Sequence, residues 1–266
     1  MRQTTDARVI VITGANNGIG LAMTRALVDE GDRVAGLDLS TDHLRALPAA
    51  NGELRVYRCD VTDRARVQDT IEDVVGTWKT VDVLVNNACV CTFQPYLERT
   101  QEETRREFEV NYFGYLNLID AVLPAMLEQC RGVIHNVSSG VGITGYPGMP
   151  GYASTKGAVE ALTRARALEL EQLGGAVNVL HAPLTRPASS APLGVTPEMM
   201  AEPAQVGRRL ARRVGRQAPV LTPDLGTALG TAANRHFPVQ MGRFPARMAR
   251  RAEQQVGEKG SRRTSD

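Results

Sequence analysis

The amino-acid sequence predicts an α/β domain built on a doubly wound parallel sheet. Three observations carry this. Short apolar runs alternate with amphipathic helical stretches along most of the chain, and the first of those runs feeds a glycine-rich turn and a helix. The 266 residues, 42% of them hydrophobic, are enough for one large core rather than two small domains.

The elements follow in order. Arg8–Thr13 is an apolar strand. Ile19–Glu30 has helical periodicity closed by Gly31, a good C-terminal stop. Arg33–Asp38, Glu53–Cys59 and Val81–Asn86 read as strands two to four, with helical stretches such as Arg64–Thr77 between them. Alternation of this kind implies right-handed crossovers and parallel pairing. Beyond Asn111 a helix is expected through Gln129, then a fifth strand near Val133–Val137 within the buried-looking run Gly132–Ser139. A long helix from about Tyr152 to Leu173 and a sixth strand, Ala176–His181, come next. The sheet is then expected to run out, with Pro219–Thr222 a candidate replacement for a closing strand. Residues 183–203, rich in Pro, Ala and Ser, suit a substrate lid or loop. An Arg-rich helix follows Ala204. The division expected is one domain over 1–240 and a basic tail over 241–266, frayed at its end.

A formal charge of +2 argues neither for nucleic acid nor for an acidic partner. Cys59, Cys89, Cys91 and Cys130 lack zinc-site or Cys-x-x-Cys spacing, so no metal site is expected. The chain opens on a polar segment, with no apolar run near the roughly 20 residues that span a bilayer. The expectation is a reduced, soluble, cytoplasmic protein.

Three sets of residues point to chemistry. Gly14, Gly18 and Gly20 lie in Thr13-Gly-Ala-Asn-Asn-Gly-Ile-Gly20, where they allow a tight turn and bring backbone amides against a pyrophosphate at a helix start. The spacing differs from Gly-x-Gly-x-x-Gly, so the fold is Rossmann-like with a variant turn. Asp38 ends the second strand about 20 residues on, where a carboxylate accepts from adenosine ribose hydroxyls and repels a 2′-phosphate; NAD is preferred over NADP. Tyr152 and Lys156, four apart on one helix face, make an acid/base pair if the ammonium favours the ionised phenol. Ser139 precedes Tyr152 by thirteen residues and ends a buried strand. Singly, each has an ordinary reading: a glycine turn, a helix-capping aspartate, a solvated helix face.

In combination the chain resembles a short-chain dehydrogenase/reductase of the common, roughly 250-residue type. The likeness rests on the glycine turn, Asp60-Val61, Asn86-Asn87-Ala88, Asn111, Ser139, and Tyr152 with Lys156, and covers about residues 7–185. It implies hydride transfer between a nicotinamide and a carbinol or carbonyl carbon. Tyr152 would give or take the hydroxyl proton and Ser139 would aim the same oxygen. Lys156 would bind the nicotinamide ribose and lower the tyrosine pKa, and Asn111 would hold a proton-relay water. The cofactor would lie along Gly14, Asn17, Gly18, Ile19, Gly20, Asp38, Asp60, Val61, Asn87, Ala88, Pro183 and Thr185. The sequence departs from the family pattern at Cys89 and Leu184, where glycine is usual, and at Ala188, where threonine is. The family's closing strand is also missing, so a homodimer or homotetramer is expected without the tetramer being carried over.

The segments bordering the substrate contribute Phe93, Val141, Tyr146, Met149, Leu193 and Met199, which implies a bulky apolar secondary alcohol or ketone. Two alternatives stay open. One is a same-fold epimerase or dehydratase with retained cofactor; the other is an inactive nucleotide-sensing or membrane-associated binding protein. For the arginines beyond residue 207, a solvated face outweighs contact with an anionic membrane.

Overall fold

The computed structural model describes residues 7–48, 50–186, 200–243 and 246–247. Seven parallel strands are β1 (Val9–Thr13), β2 (Arg33–Asp38), β3 (Glu53–Arg58), β4 (Val83–Asn86), β5 (Gly132–Ser139), β6 (Gly175–Ala182) and β7 (Val220–Leu221). Their order in the sheet is β3-β2-β1-β4-β5-β6-β7. The order reverses between β1 and β4, which opens a crevice at their carboxyl ends. The sheet therefore does not run out after β6. Val220 and Leu221 pair with Val179 and Leu180, realising the candidate replacement strand in two residues.

Strand alternation builds a core on each face. Val9, Val11, Leu84 and Ile134 pack with Val67, Ile71 and Val74 of α3 (Arg64–Trp78) and with Leu118 and Val122 of α5 (Gly114–Glu128). Ile10, Ile12, Val85 and Val137 pack with Met23 and Leu27 of α1 (Gly18–Asp29) and with Val206 and Leu210 of α8 (Pro203–Ala211). Two short helices, α2 (Asp42–Arg45) and α6 (Val141–Thr144), flank the carboxyl edge of the sheet. The helix expected beyond Asn111 through Gln129 is α5; before it, α4 (Gln101–Phe108) is joined to α5 by a wide π-helical turn, Glu109–Phe113. The long helix α7 runs from Pro150 to Leu170 and ends in a tight turn, Glu171–Leu173. A helix that the sequence reading passed over, α9 (Leu225–His236), closes the fold; Asp224 caps it by accepting from the Thr227 amide at 2.8 Å. Most of the expected tail, 248–266, lies outside the described residues.

His135 locks the far end of the sheet. Its Nε2 accepts from the Gly215 amide at 2.8 Å, so its Nδ1 carries the proton and bonds Asn178 Oδ1, while Asn178 Nδ2 donates to Arg216 O at 2.9 Å. The ring is fully buried, and burial holds its pKa down at about 4. A proton on Nε2 would face the Gly215 N–H. The unfolded chain takes up that proton near pH 6.5, so stability is lost as pH falls from 6.5 toward 4, by about 3 kcal/mol from this group. Urea unfolding of the wild type between pH 7 and 4 should show that loss. His135→Phe should be less stable at pH 7 but should show a shallower dependence over the same range.

Candidate active site

The site forms where β1, β4 and β5 end. Gly14 has φ +61° and faces the second crossover so closely that a Cβ there would lie 2.7 Å from Ala88 Cα. Thr13 Oγ1 accepts from the amides of both Asn87 and Ala88 at 3.0 Å, and Asn87 Nδ2 donates to the Thr13 and Gly14 carbonyls at 3.0 Å. These bonds fix the turn. Gly18, φ +55°, opens α1 with nothing within 4 Å of where its Cβ would stand. Asn17 caps α1 without a side-chain hydrogen bond, which leaves first-turn amides of Gly18, Ile19 and Gly20 for an anion.

Asp38 braces this turn. Its two oxygens accept from Asn16 N at 2.9 Å and Ser40 N at 3.2 Å. His43, which the sequence reading did not single out, places Nδ1 3.0 Å from Asn17 Oδ1. Asp60 accepts from the Thr62 amide at 2.9 Å, while the cap of α3 is Asp63, not Asp60. Val61 is buried against Gly114 at the end of the wide turn.

At the end of β5 the alternation separates two serines. Ser138 is buried and donates to Lys156 O at 3.4 Å, whereas Ser139 hydrogen-bonds the phenol of Tyr152. Tyr152 lies in the first turn of α7, started by Pro150 at N1. Lys156 is 1% exposed; its Nζ donates to Val137 O at 2.8 Å and Tyr115 OH at 3.2 Å and stands 5.5 Å from the centre of the Tyr152 ring. The expectation that Lys156 lowers the Tyr152 pKa is not met in this state. Burial first, with the Glu107 carboxylate adding to it, pushes the phenol well above 10, and the hydrogen bond with Ser139 opposes the shift. Burial likewise lowers Lys156. Burial also pushes Cys91 up to about 12, with Glu107 adding to the effect.

Asn111 is fully buried in the wide turn. Its amide group is engaged by the loop after β4: Nδ2 donates to Val90 O at 2.8 Å and Thr155 Oγ1 at 3.1 Å, and Oδ1 accepts from Val90 N at 2.8 Å. In this geometry the side chain clamps Val90 to α7 and has no N–H left over for a relay water.

Sequence reasoning missed the ion pair beneath this loop. Arg99 and Glu107 are 3% and 1% exposed and bonded to one another; Glu107 also accepts from Thr92 N at 2.7 Å, and Arg99 donates to Thr92 O at 3.1 Å. Both press on Gly151, where any Cβ would collide. No local pattern signals the pair, although Thr100 and Glu103 form a capping box that announces α4. Glu160, one turn past Lys156, was also missed. His181 Nε2 lies 2.6 Å and Arg235 Nη2 3.1 Å from its carboxylate; burial alone would raise its pKa, and these partners hold it below the usual carboxylate range.

Of the expected substrate residues, Met149 is buried and Phe93, Val141 and Tyr146 are half-buried. Gln94 N donates to Gly148 O at 2.8 Å, joining the two segments that carry them. Pro183 and Thr185 follow β6, where Thr185 bridges Ala201. Leu193, Met199 and Ala188 lie outside the described residues.

A short-chain dehydrogenase family model matches residues 8–195. The chain belongs to that family. Its members are oxidoreductases that typically use nicotinamide cofactors. Over 169 residues, 62% of this chain and 69% of the relative, it is 37% identical to a 3-oxoacyl-acyl-carrier-protein reductase of Thermotoga maritima. A short-chain dehydrogenase from Streptomyces avermitilis superposes with TM-score 0.77 at 28% identity, covering 98% of this chain and 99% of that one. An NAD+-bound xylitol dehydrogenase superposes with TM-score 0.68 at 27% identity, covering 87% and 93%.

Removing one partner of the Arg99–Glu107 pair leaves a buried charge alone. Arg99→Met should cost about 3–5 kcal/mol in urea unfolding, and Arg99→Met/Glu107→Leu should recover most of it. If the double variant were no more stable than the single, the pair would not be the cause.

Proposed function

We propose that this chain is an NAD(H)-dependent oxidoreductase interconverting a bulky apolar secondary alcohol and its ketone, with Tyr152 as acid and base. One observation carries the reading. The hydrogen-bonded Ser139–Tyr152 pair and the anchored Lys156 sit at the carboxyl end of β5, in the same sheet-end crevice as the glycine turn after β1.

The residues present fit a dinucleotide. The open Gly18 start of α1 suits the pyrophosphate, with Gly14, Asn17, Ile19 and Gly20 around it. Asp38, its oxygens already oriented by two amides, would take ribose hydroxyls and oppose a 2′-phosphate. Asp60 and Val61 would border the adenine, and Asn87, Ala88, Pro183 and Thr185 the remainder. Lys156 commits two of its three N–H groups to Val137 and Tyr115, leaving one for a ribose hydroxyl. When bound, the nicotinamide supplies or accepts the hydride.

The protein handles one proton. Ser139 would hold the substrate oxygen, and Tyr152, kept protonated by its surroundings, would donate to it during ketone reduction. Alcohol oxidation requires Tyr152 to release that proton first. Phe93, Val141, Tyr146 and Met149 support an apolar substrate.

Titration by fluorescence should show NADH binding in preference to NADPH, and a panel of bulky apolar ketones should turn over at the nicotinamide absorbance. Tyr152→Phe should lower kcat by about 10³-fold with NADH affinity little changed; undiminished turnover would sink the assignment. Because the Tyr152 pKa is raised, ketone reduction should stay level between about pH 6 and 9 while alcohol oxidation rises across that range. Parallel profiles in the two directions would remove Tyr152 as the titrating group.

A further inference from the structure

The outward face of α9 is apolar where a surface helix is normally polar. Leu225 and Leu229 are 73% and 64% exposed, and Ala232 continues the same stripe at helical spacing. Beyond the helix Phe237 and Val239 are each 58% exposed, and Met241 extends the patch. The inward face is fully engaged: Thr231 is buried, Asn234 lies against Gly140, and Arg235 binds Glu160. No described element covers the outward one.

Charge says what covers it. Residues 204–266 hold 13 arginines and lysines against 4 aspartates and glutamates, a formal +9, while residues 1–203 hold 18 against 25, a formal −7. The near-neutral total hides this polarity. Arg208 and Arg209 are exposed on α8 and Arg212 at its C-terminal cap, and the Arg209–Asp224 ion pair at 3.0 Å fastens that helix to the start of α9. Arg243 and Arg247 are exposed just past the apolar patch. Exposed leucine, phenylalanine and methionine flanked by arginine suit an interface of negative headgroups over acyl chains. A second copy fits poorly: a two-fold contact would bring the exposed Arg208, Arg209, Arg212, Arg243 and Arg247 of one copy toward those of the other.

We propose that α9 and the helical segment 238–243 after it dock this protein on an anionic lipid bilayer. The contact is peripheral, since no helix among the described residues is long and apolar enough to cross a membrane. It has a consequence for the site, which rests on the apolar-substrate reading. The inner face of α9 packs on Gly140, and Gly242 on the Thr144 carbonyl, so the bilayer would lie behind the segment that carries Val141 and Tyr146. An apolar alcohol or ketone dissolved in the bilayer would be concentrated next to that segment.

Docking is tested on the full chain without substrate or nucleotide, so that its failure is separate from failure of the oxidoreductase reading. The protein is co-sedimented with vesicles of phosphatidylcholine alone and with vesicles containing phosphatidylserine. Binding should be about tenfold tighter to the anionic vesicles and should fall away near 0.5 M salt. Leu225→Gln/Leu229→Gln and Arg243→Gln/Arg247→Gln should each weaken it several-fold while melting temperature and turnover of a soluble ketone stay as in the wild type. Three results would overturn the proposal: equal partition onto both vesicle types, a dimer that the leucine variant dissociates, or duplex DNA binding that survives the leucine substitutions and displaces the vesicles.

Discussion

A buried ammonium organises the candidate site. Lys156 is 1% exposed, and a cation removed from water is costly unless its donors are satisfied. Here a strand carbonyl, Val137 O, and a phenol, Tyr115 OH, take two donors, while the rings of Tyr115 and Tyr152 stand 5.2 and 5.5 Å from Nζ. Those contacts tie three elements together: the end of β5, the first turn of α5 and the first two turns of α7. Ser138, on the opposite side of β5 from Ser139, reaches the carbonyl of Lys156 itself. The position of the ammonium therefore depends on the sheet, and the position of Tyr152 depends on the helix that the ammonium holds.

The same burial decides the state of the phenol. A neighbouring opposite charge moves a pKa by ~1–3 units, and full burial moves it by up to ~3–5. The sequence exposes the first effect, because four-residue spacing on a helix is visible; it does not expose the second. Tyr152, in the first turn of α7, is desolvated by its surroundings, and the Glu107 carboxylate adds to the cost of a phenolate.

Most of the sheet was legible because strands such as β1 and β4 are continuous apolar runs that both faces bury, as Val9 and Ile10 show by joining opposite cores. The glycine turn was legible because it needs glycine for steric reasons. What escaped the sequence depends on partners distant along the chain. Strand β7, which the sequence offered only as a candidate, is two residues long and is settled by the edge that β6 offers. The wide turn at Glu109–Phe113 changes the helical register under Asn111, and nothing in its five residues requires it. Helix α9 carries Gly226 and Gly230, which weaken its local signal, and its capping aspartate was the one mark available. The Arg99–Glu107 pair joins residues eight apart whose charges look like a solvated face until Gly151 is packed on them.

The departures from the family pattern can be weighed by where space is short. The tight approach in the nucleotide turn is between Gly14 and Ala88, where a Cβ on Gly14 would lie 2.7 Å from Ala88 Cα. Cys89 comes one residue later and its side chain is exposed. A larger residue at position 89 therefore leaves the Gly14–Ala88 contact and the Thr13 bonds intact, while adding a thiol next to Tyr152. Leu184 is likewise exposed, and its carbonyl accepts from the Ala201 amide at 2.9 Å, a backbone bond that needs no glycine. At Cys89 and Leu184 the larger side chains thus fall on exposed positions, outside the close Gly14–Ala88 contact.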